Sequence, residues 1–187
     1  MAAGKKASSA AAAGSLTQHE GMILSVIVRE QPVMAYQVYK IFERSPVTAI
    51  NSSKGQLYPA IRRLKDRGLL SARQVGTKAK KAEELSVTKR GTEAARRWTK
   101  DIMDAHINLE DPLRTRVLSF DLLTKDEQIQ WIAKAKALVK AKRQAVEEFN
   151  QSVSLPFQQF AYSSTMETLR IRMEWLDELL YFVTDSK

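Results

Sequence analysis

Apolar positions recur at helical spacing through most of the chain and alternate in only one short region. The pattern predicts a mainly α protein with a small β-hairpin. Thr17-Gln18-His19-Glu20 is a capping box, in which the threonine oxygen meets the third helical N–H and the glutamate reaches back. The helix it opens carries Met22, Ile23, Val26 and Ile27 on one face and ends near Gln31-Pro32. A second helix is expected over residues 34–44, through Tyr36, Val38, Tyr39, Ile41 and Phe42, with Ser45-Pro46 ending it. A third starts at another capping box, Ser53-Lys54-Gly55-Gln56, and buries Leu57, Ala60, Ile61 and Leu64. Gly68 stands where a helix C-terminus favours glycine. Residues 69–75 and 84–88 read as strands joined by a basic loop over 76–83, and residues 88–106 as a fourth helix. Three helices, a hairpin and a further helix are the order of a winged helix-turn-helix, here assigned to residues 16–106.

The remainder, residues 107–187, reads as helix throughout. Asp111-Pro112 opens a segment through Leu113, Val117, Leu118, Phe120, Leu122 and Leu123, with proline well placed at a first helical position. Thr124-Lys125-Asp126-Glu127 starts a long helix expected to reach residue 153, with Ile132, Val139, Val146 and Val153 spaced by seven. Pro156 lies in the break that follows. The last helix carries Met166, Leu169, Met173, Leu176, Leu180 and Val183 in alternating steps of 3 and 4, the seam of a short coiled coil. Such a stripe is often intramolecular core. On a terminal helix with little else left to bury it, it is expected to be the interface of a homodimer. The second half therefore reads as an antiparallel helical dimerisation domain.

Charge sharpens this division. Net charge is +9 over 187 residues, but residues 1–100 hold 19 Lys and Arg against 7 Asp and Glu, and the rest hold 11 against 14. A polyanion is the natural partner of the first half, and nucleic acid is the commonest one. The chain has no Cys, which excludes disulfides, thiolate metal sites and a Cys nucleophile and fits a reducing, cytoplasmic setting. No apolar run approaches the ~18 residues that span a bilayer. Lys and Arg are not ranged along one helix opposite a large apolar face, so no membrane partner is expected. Residues 1–15, rich in alanine, read as a disordered tail. No Ser-His-Asp order, paired catalytic carboxylates, Walker loop or dinucleotide fingerprint occurs, so neither catalytic residues nor a cofactor are expected. His19 and His106 are too few and too far apart for a metal site.

The third helix carries the candidate chemistry. Its sides away from the core present Lys54, Gln56, Tyr58, Pro59, Arg62 and Arg63. A helix fits the major groove of B-DNA, where Arg reads guanine and Gln reads adenine through paired hydrogen bonds. Tyr, Lys and helix N-terminal N–H groups suit phosphates. Pro59 has no N–H and leaves the Gly55 carbonyl without its helical partner, close to the helix start. Lys78, Lys80 and Lys81 cluster at the hairpin tip, a placement suited to DNA backbone or minor groove. Each feature alone is also what a solvated helix or a soluble loop looks like. In this order after three helices, all eight side chains other than Pro59 are expected to contact DNA.

The stretch GQLYPAIRRLKDRGLL (residues 55–70) closely resembles the recognition-helix signature of the PadR-like transcriptional regulators, G-x-LYP-A-L-x-x-L-x-x-x-GL. AYQVYKI (35–41) is similar to the segment before it, and LSVTKRG (85–91) to the wing's return strand and the L-T-x-x-G that follows. The resemblance spans residues 16–100, and the helical remainder is similar in size and character to the larger PadR subfamily. It implies a dimeric winged-helix repressor, released from its operator by a small effector such as an aromatic acid or its thioester. Recognition helices in such a dimer would lie about 34–36 Å apart, or a multiple, on a pseudo-palindromic operator. Two departures stand out. Met34-Ala35-Tyr36 replaces a frequent His-Gly-Tyr, and Glu83-Glu84-Leu85 replaces a frequent Lys-Tyr-Tyr. Trp98 and Trp131 are candidates to stack on a planar effector, although tryptophans on helices are more often core. The alternative expectation is an effector-independent winged-helix module that recruits a protein partner.

Overall fold

The Thr17 hydroxyl accepts the Glu20 N–H at 3.1 Å, and the Glu20 carboxylate accepts the Thr17 N–H at 3.2 Å. This box opens α1 (Gln18–Glu30). The computed structural model describes residues 15–43, 45–46, 53–77, 80–107 and 111–185. Apart from Ser15, the expected tail lies outside the described residues. Two compact units divide between Ile102 and Met103.

In the first unit α1 is followed by β1 (Val33–Met34), α2 (Ala35–Phe42), α3 (Lys54–Asp66), β2 (Leu70–Thr77), β3 (Lys80–Val87) and α4 (Lys89–Lys100). The strands form an antiparallel sheet in the order β1-β3-β2. Its core joins Ile23, Leu24 and Ile27 of α1 to Val38 and Phe42 of α2, Leu57 and Leu64 of α3, and Leu85 of β3, all buried. Gly68 takes φ +66 and ends α3, with the Leu69 N–H donating to the Leu64 carbonyl at 2.9 Å. At Gly21 a Cβ would stand 2.1 Å from the Trp98 ring, so only glycine lets α4 lie this close to α1.

Three expectations need correction here. β1 was not foreseen; it is two residues long, and its partners Leu85 and Glu84 lie some fifty residues away in the chain. The basic loop expected over 76–83 is mostly strand. Thr77 pairs with Lys80 and Gly76 with Lys81, because a lysine-rich composition does not prevent backbone pairing. The fourth helix ends at Lys100, and a separate 3₁₀ turn spans Asp104–Ile107.

The second unit holds α5 (Pro112–Val117), a 3₁₀ turn (Phe120–Leu122), α6 (Lys125–Ser152) and α7 (Gln158–Asp185). The two long helices run antiparallel. Lys125 Nζ donates to the Thr184 carbonyl at 3.0 Å, Lys136 pairs with Asp177, and Gln158 Nε2 donates to the Asn150 carbonyl at 2.7 Å. The turn between them passes through Pro156 and through Phe157 at φ 59.

The seam on the last helix closes within one chain rather than being left for a second. Leu169, Leu176 and Val183 are buried against Ile132, Ala135, Val139 and Val146 of α6, and Met166, Met173 and Leu180 are half-buried on the same cluster. The reason is complementarity: the seven-residue stripe on α6 offers a matching apolar face on a helix of equal length, 28 residues each.

Candidate nucleic-acid interface

α3 is built to show one face. Leu57, Ala60, Ile61 and Leu64 are buried, so the ~100° step per residue turns Gly55, Pro59 and Arg62 directly away from the core, with Tyr58 at their edge. At its start the Ser53 N–H donates to Gln56 Oε1 at 3.2 Å, which engages the amide oxygen of Gln56 and leaves its NH₂ group to donate. Lys54 leans its ammonium over the Tyr39 ring of α2, 5.4 Å from the centroid. Pro59 lies inside a helix that continues to Asp66. Gly55 and Pro59 are both exposed, so the carbonyl left unpaired is open to water. Tyr58 is 41% exposed. Arg62 is exposed and its side chain makes no hydrogen bond or ion pair among the described residues.

Arg63 is placed otherwise. Its Nε donates to Glu20 Oε1 at 2.8 Å, and Arg67 Nη1 donates to Glu20 Oε2 at 3.2 Å. The Glu20 side chain is only 4% exposed. Burial alone would push the Glu20 carboxyl up. The Arg63 hydrogen bond, the Thr17 N–H and the charges of Arg63 and Arg67 outweigh that and hold it below the usual glutamate range. Beside it, burial and the Arg63 charge push His19 down. Arg67 also donates to the Ser15 carbonyl at 3.2 Å. A buried carboxylate on α1 thus fixes the rotation of α3 through two arginines. The role of Glu20 in the site is not legible in the sequence. Glu20 has a local explanation as a capping residue, and Arg63 lies 43 positions away.

The wing is tied to the same helix. Lys65 Nζ meets Glu83 Oε2 at 2.6 Å, Gln74 Nε2 donates to Glu83 Oε1 at 3.0 Å, and Arg73 pairs across the strands with Glu84 at 2.6 Å. Glu83 and Glu84, two of the residues that depart from the frequent Lys-Tyr-Tyr, therefore bind the end of α3 and the two strands together. Of the wing lysines, Lys80 and Lys81 open β3, and Lys78 lies outside the described residues. Trp98 packs on Gly21 in the first unit. Trp131 meets Phe120 edge-on in the second, with centroids 5.0 Å apart. Among the described residues no group of three His, Cys, Asp or Glu could hold a metal, and no helix is long and apolar enough to cross a membrane.

The family model of PadR-like transcriptional regulators matches residues 23–97. Over those residues the chain carries a PadR-like winged helix. The match takes in α3, the wing and most of α4, and it begins just after Glu20. Solved PadR-like structures share the fold over most of the chain. Bacillus subtilis PadR in complex with operator DNA is 17% identical, with a TM-score of 0.73 over 88% of this chain and 98% of that one. The same protein in complex with p-coumaric acid is 16% identical, at 0.71 over 89% and 96%. The PadR-like regulator BC1756 from Bacillus cereus is 14% identical, at 0.67 over 91% and 98%. At such identities the likeness is one of fold. No curated protein matches the sequence.

Proposed function

We propose that this protein is a homodimeric transcriptional repressor that holds a pseudo-palindromic operator with α3 and the wing and is released by a small aromatic acid. The observation that carries the reading is the outward face of α3: an Arg62 side chain without a partner among the described residues beside an exposed Tyr58, on a helix locked by Glu20 and joined to a basic wing. In this reading Arg62 takes a base edge in the major groove, and Lys54, Tyr58 and the Gln56 amide take backbone or neighbouring bases. Lys78, Lys80 and Lys81 take phosphates. Arg63 positions the helix and does not read.

Residues 16–106 serve as the DNA-binding domain and 107–187 as the dimerisation domain. Since the α7 seam is filled by α6, the second copy is assigned to the opposite face of α7, where Ile171 and Phe182 are 57% and 69% exposed. The likeness to the p-coumaric acid complex supports an aromatic acid as the effector class.

The test is anisotropy of labelled DNA from upstream of the gene and its neighbours, against scrambled duplex, over a salt series. The expected result is sequence-preferring binding with a steep salt dependence, weakened by p-coumaric acid. Preference without any response to aromatic acids would remove the effector. Equal, weak binding to both duplexes would instead favour a winged-helix module that recruits a protein.

A further inference from the structure

Behind the C-terminal end of α3 the first unit has a cleft of about 580 Å³ with basic walls. Lys89, Arg90 and Arg97 of α4 and Arg67 from the turn after α3 bring four cations to it, and Glu93 brings a single carboxylate. Buried Leu69 and Ala94 form the floor. Positions 90, 93, 94 and 97 share one face of α4 by helical spacing, while Trp98 turns toward α1. Lys89 and Arg97 are eight residues apart, or ~12 Å along the axis.

Two features make this more than a solvated charge cluster. The side chains of Lys89, Arg90 and Arg97 have no hydrogen-bond or ion-pair partner among the described residues, so their charges repel one another with only the Glu93 carboxylate nearby to offset them. Arg67, by contrast, is fixed in place by Glu20 and by the Ser15 carbonyl. Arg90 Nη1 lies 3.5 Å from where a Cβ on Gly68 would stand, so its guanidinium lies over the glycine turn that ends α3. The cleft is also off the reading face. Arg67 follows Arg62 by five positions, ~140° around the helix, on the flank that faces α1.

An anion with several adjacent charges relieves this repulsion. Guanidinium groups match phosphate oxygens in pairs, and the volume is that of an ordinary small-ligand site. We propose that the cleft binds a small molecule carrying two or more linked phosphate groups, held by Lys89, Arg90 and Arg97 against Arg67. This assignment is independent of the operator reading.

Calorimetric titration of the full chain with inorganic pyrophosphate at constant ionic strength tests it, comparing the parent with R90A/R97A and with the wing variant K80A/K81A. Both α4 arginines are exposed, so their replacement leaves the core intact. Pyrophosphate is expected to bind the parent and the wing variant alike and R90A/R97A at least about tenfold more weakly. The affinity of R90A/R97A for duplex DNA should stay within about threefold of the parent. Equal pyrophosphate affinity in all three proteins would overturn the proposal in favour of diffuse charge. A loss of DNA affinity as large as the loss of pyrophosphate affinity would overturn it by making the cleft part of the nucleic-acid surface. Citrate binding as tightly as pyrophosphate at the same ionic strength would overturn the phosphate assignment.

Discussion

One step of helix separates Arg62 from Arg63, and their surroundings differ accordingly. Arg62→Ala should weaken operator binding by about 1–3 kcal/mol, relax specificity at one base position, and leave thermal stability unchanged. Arg63→Ala should lower stability by about 1–3 kcal/mol in denaturant melts, because it leaves a buried carboxylate with one arginine instead of two. If the two variants exchange these phenotypes, the assignment of the reading face fails. Glu20 adds a pH signature. Its carboxyl titrates lower in the folded chain than in the unfolded one. Its contribution is therefore complete above the ordinary glutamate range and is lost as the pH falls through the folded value. Glu20→Gln should be less stable than the parent at pH 7, and the gap should narrow as the pH falls below the ordinary glutamate range. Melts in which the gap stays constant would show that the ion pairs contribute nothing to folding. None of this could be read from the chain, where Arg62-Arg63 looks like a matched pair. What distinguishes them is a partner on another helix.

Among the elements, local signals set the boundaries that the sequence shows, and distant partners set those it does not. The boxes at Thr17 and Thr124 and the glycine at 68 act within a few residues, and the helices begin or end there. β1 carries no local signal, since Val33 and Met34 become a strand only by pairing with β3. The stripe on α7 was legible as a stripe, but its occupant was not, because periodicity fixes a face and leaves its partner open. Leu176 is fully buried, so Leu176→Ala should cost about 2–5 kcal/mol in stability. Ile171→Glu, on the exposed face, should convert dimers to monomers in sedimentation and remove the concentration dependence of the melt. Intact dimers after that change would move the second copy to another surface.

Over the whole molecule, the basic charge belongs to the first hundred residues and the slight acidic excess to the rest. Each wing lysine that meets a phosphate should therefore reduce the salt slope of DNA binding by about one when replaced by alanine, without changing sequence preference. An unchanged slope in K80A/K81A would take the wing out of the interface. The close seat of Trp98 on Gly21 has a consequence of a different kind. Of the three tryptophans, Trp98 alone belongs to the first unit, and Trp131 and Trp175 to the second. With the latter two changed to phenylalanine, the emission colour of the protein would come from a single indole wedged between α1 and α4. A red shift on heating would then time the parting of those two helices, and each half of the molecule could be watched as it melts by the light of its own residues.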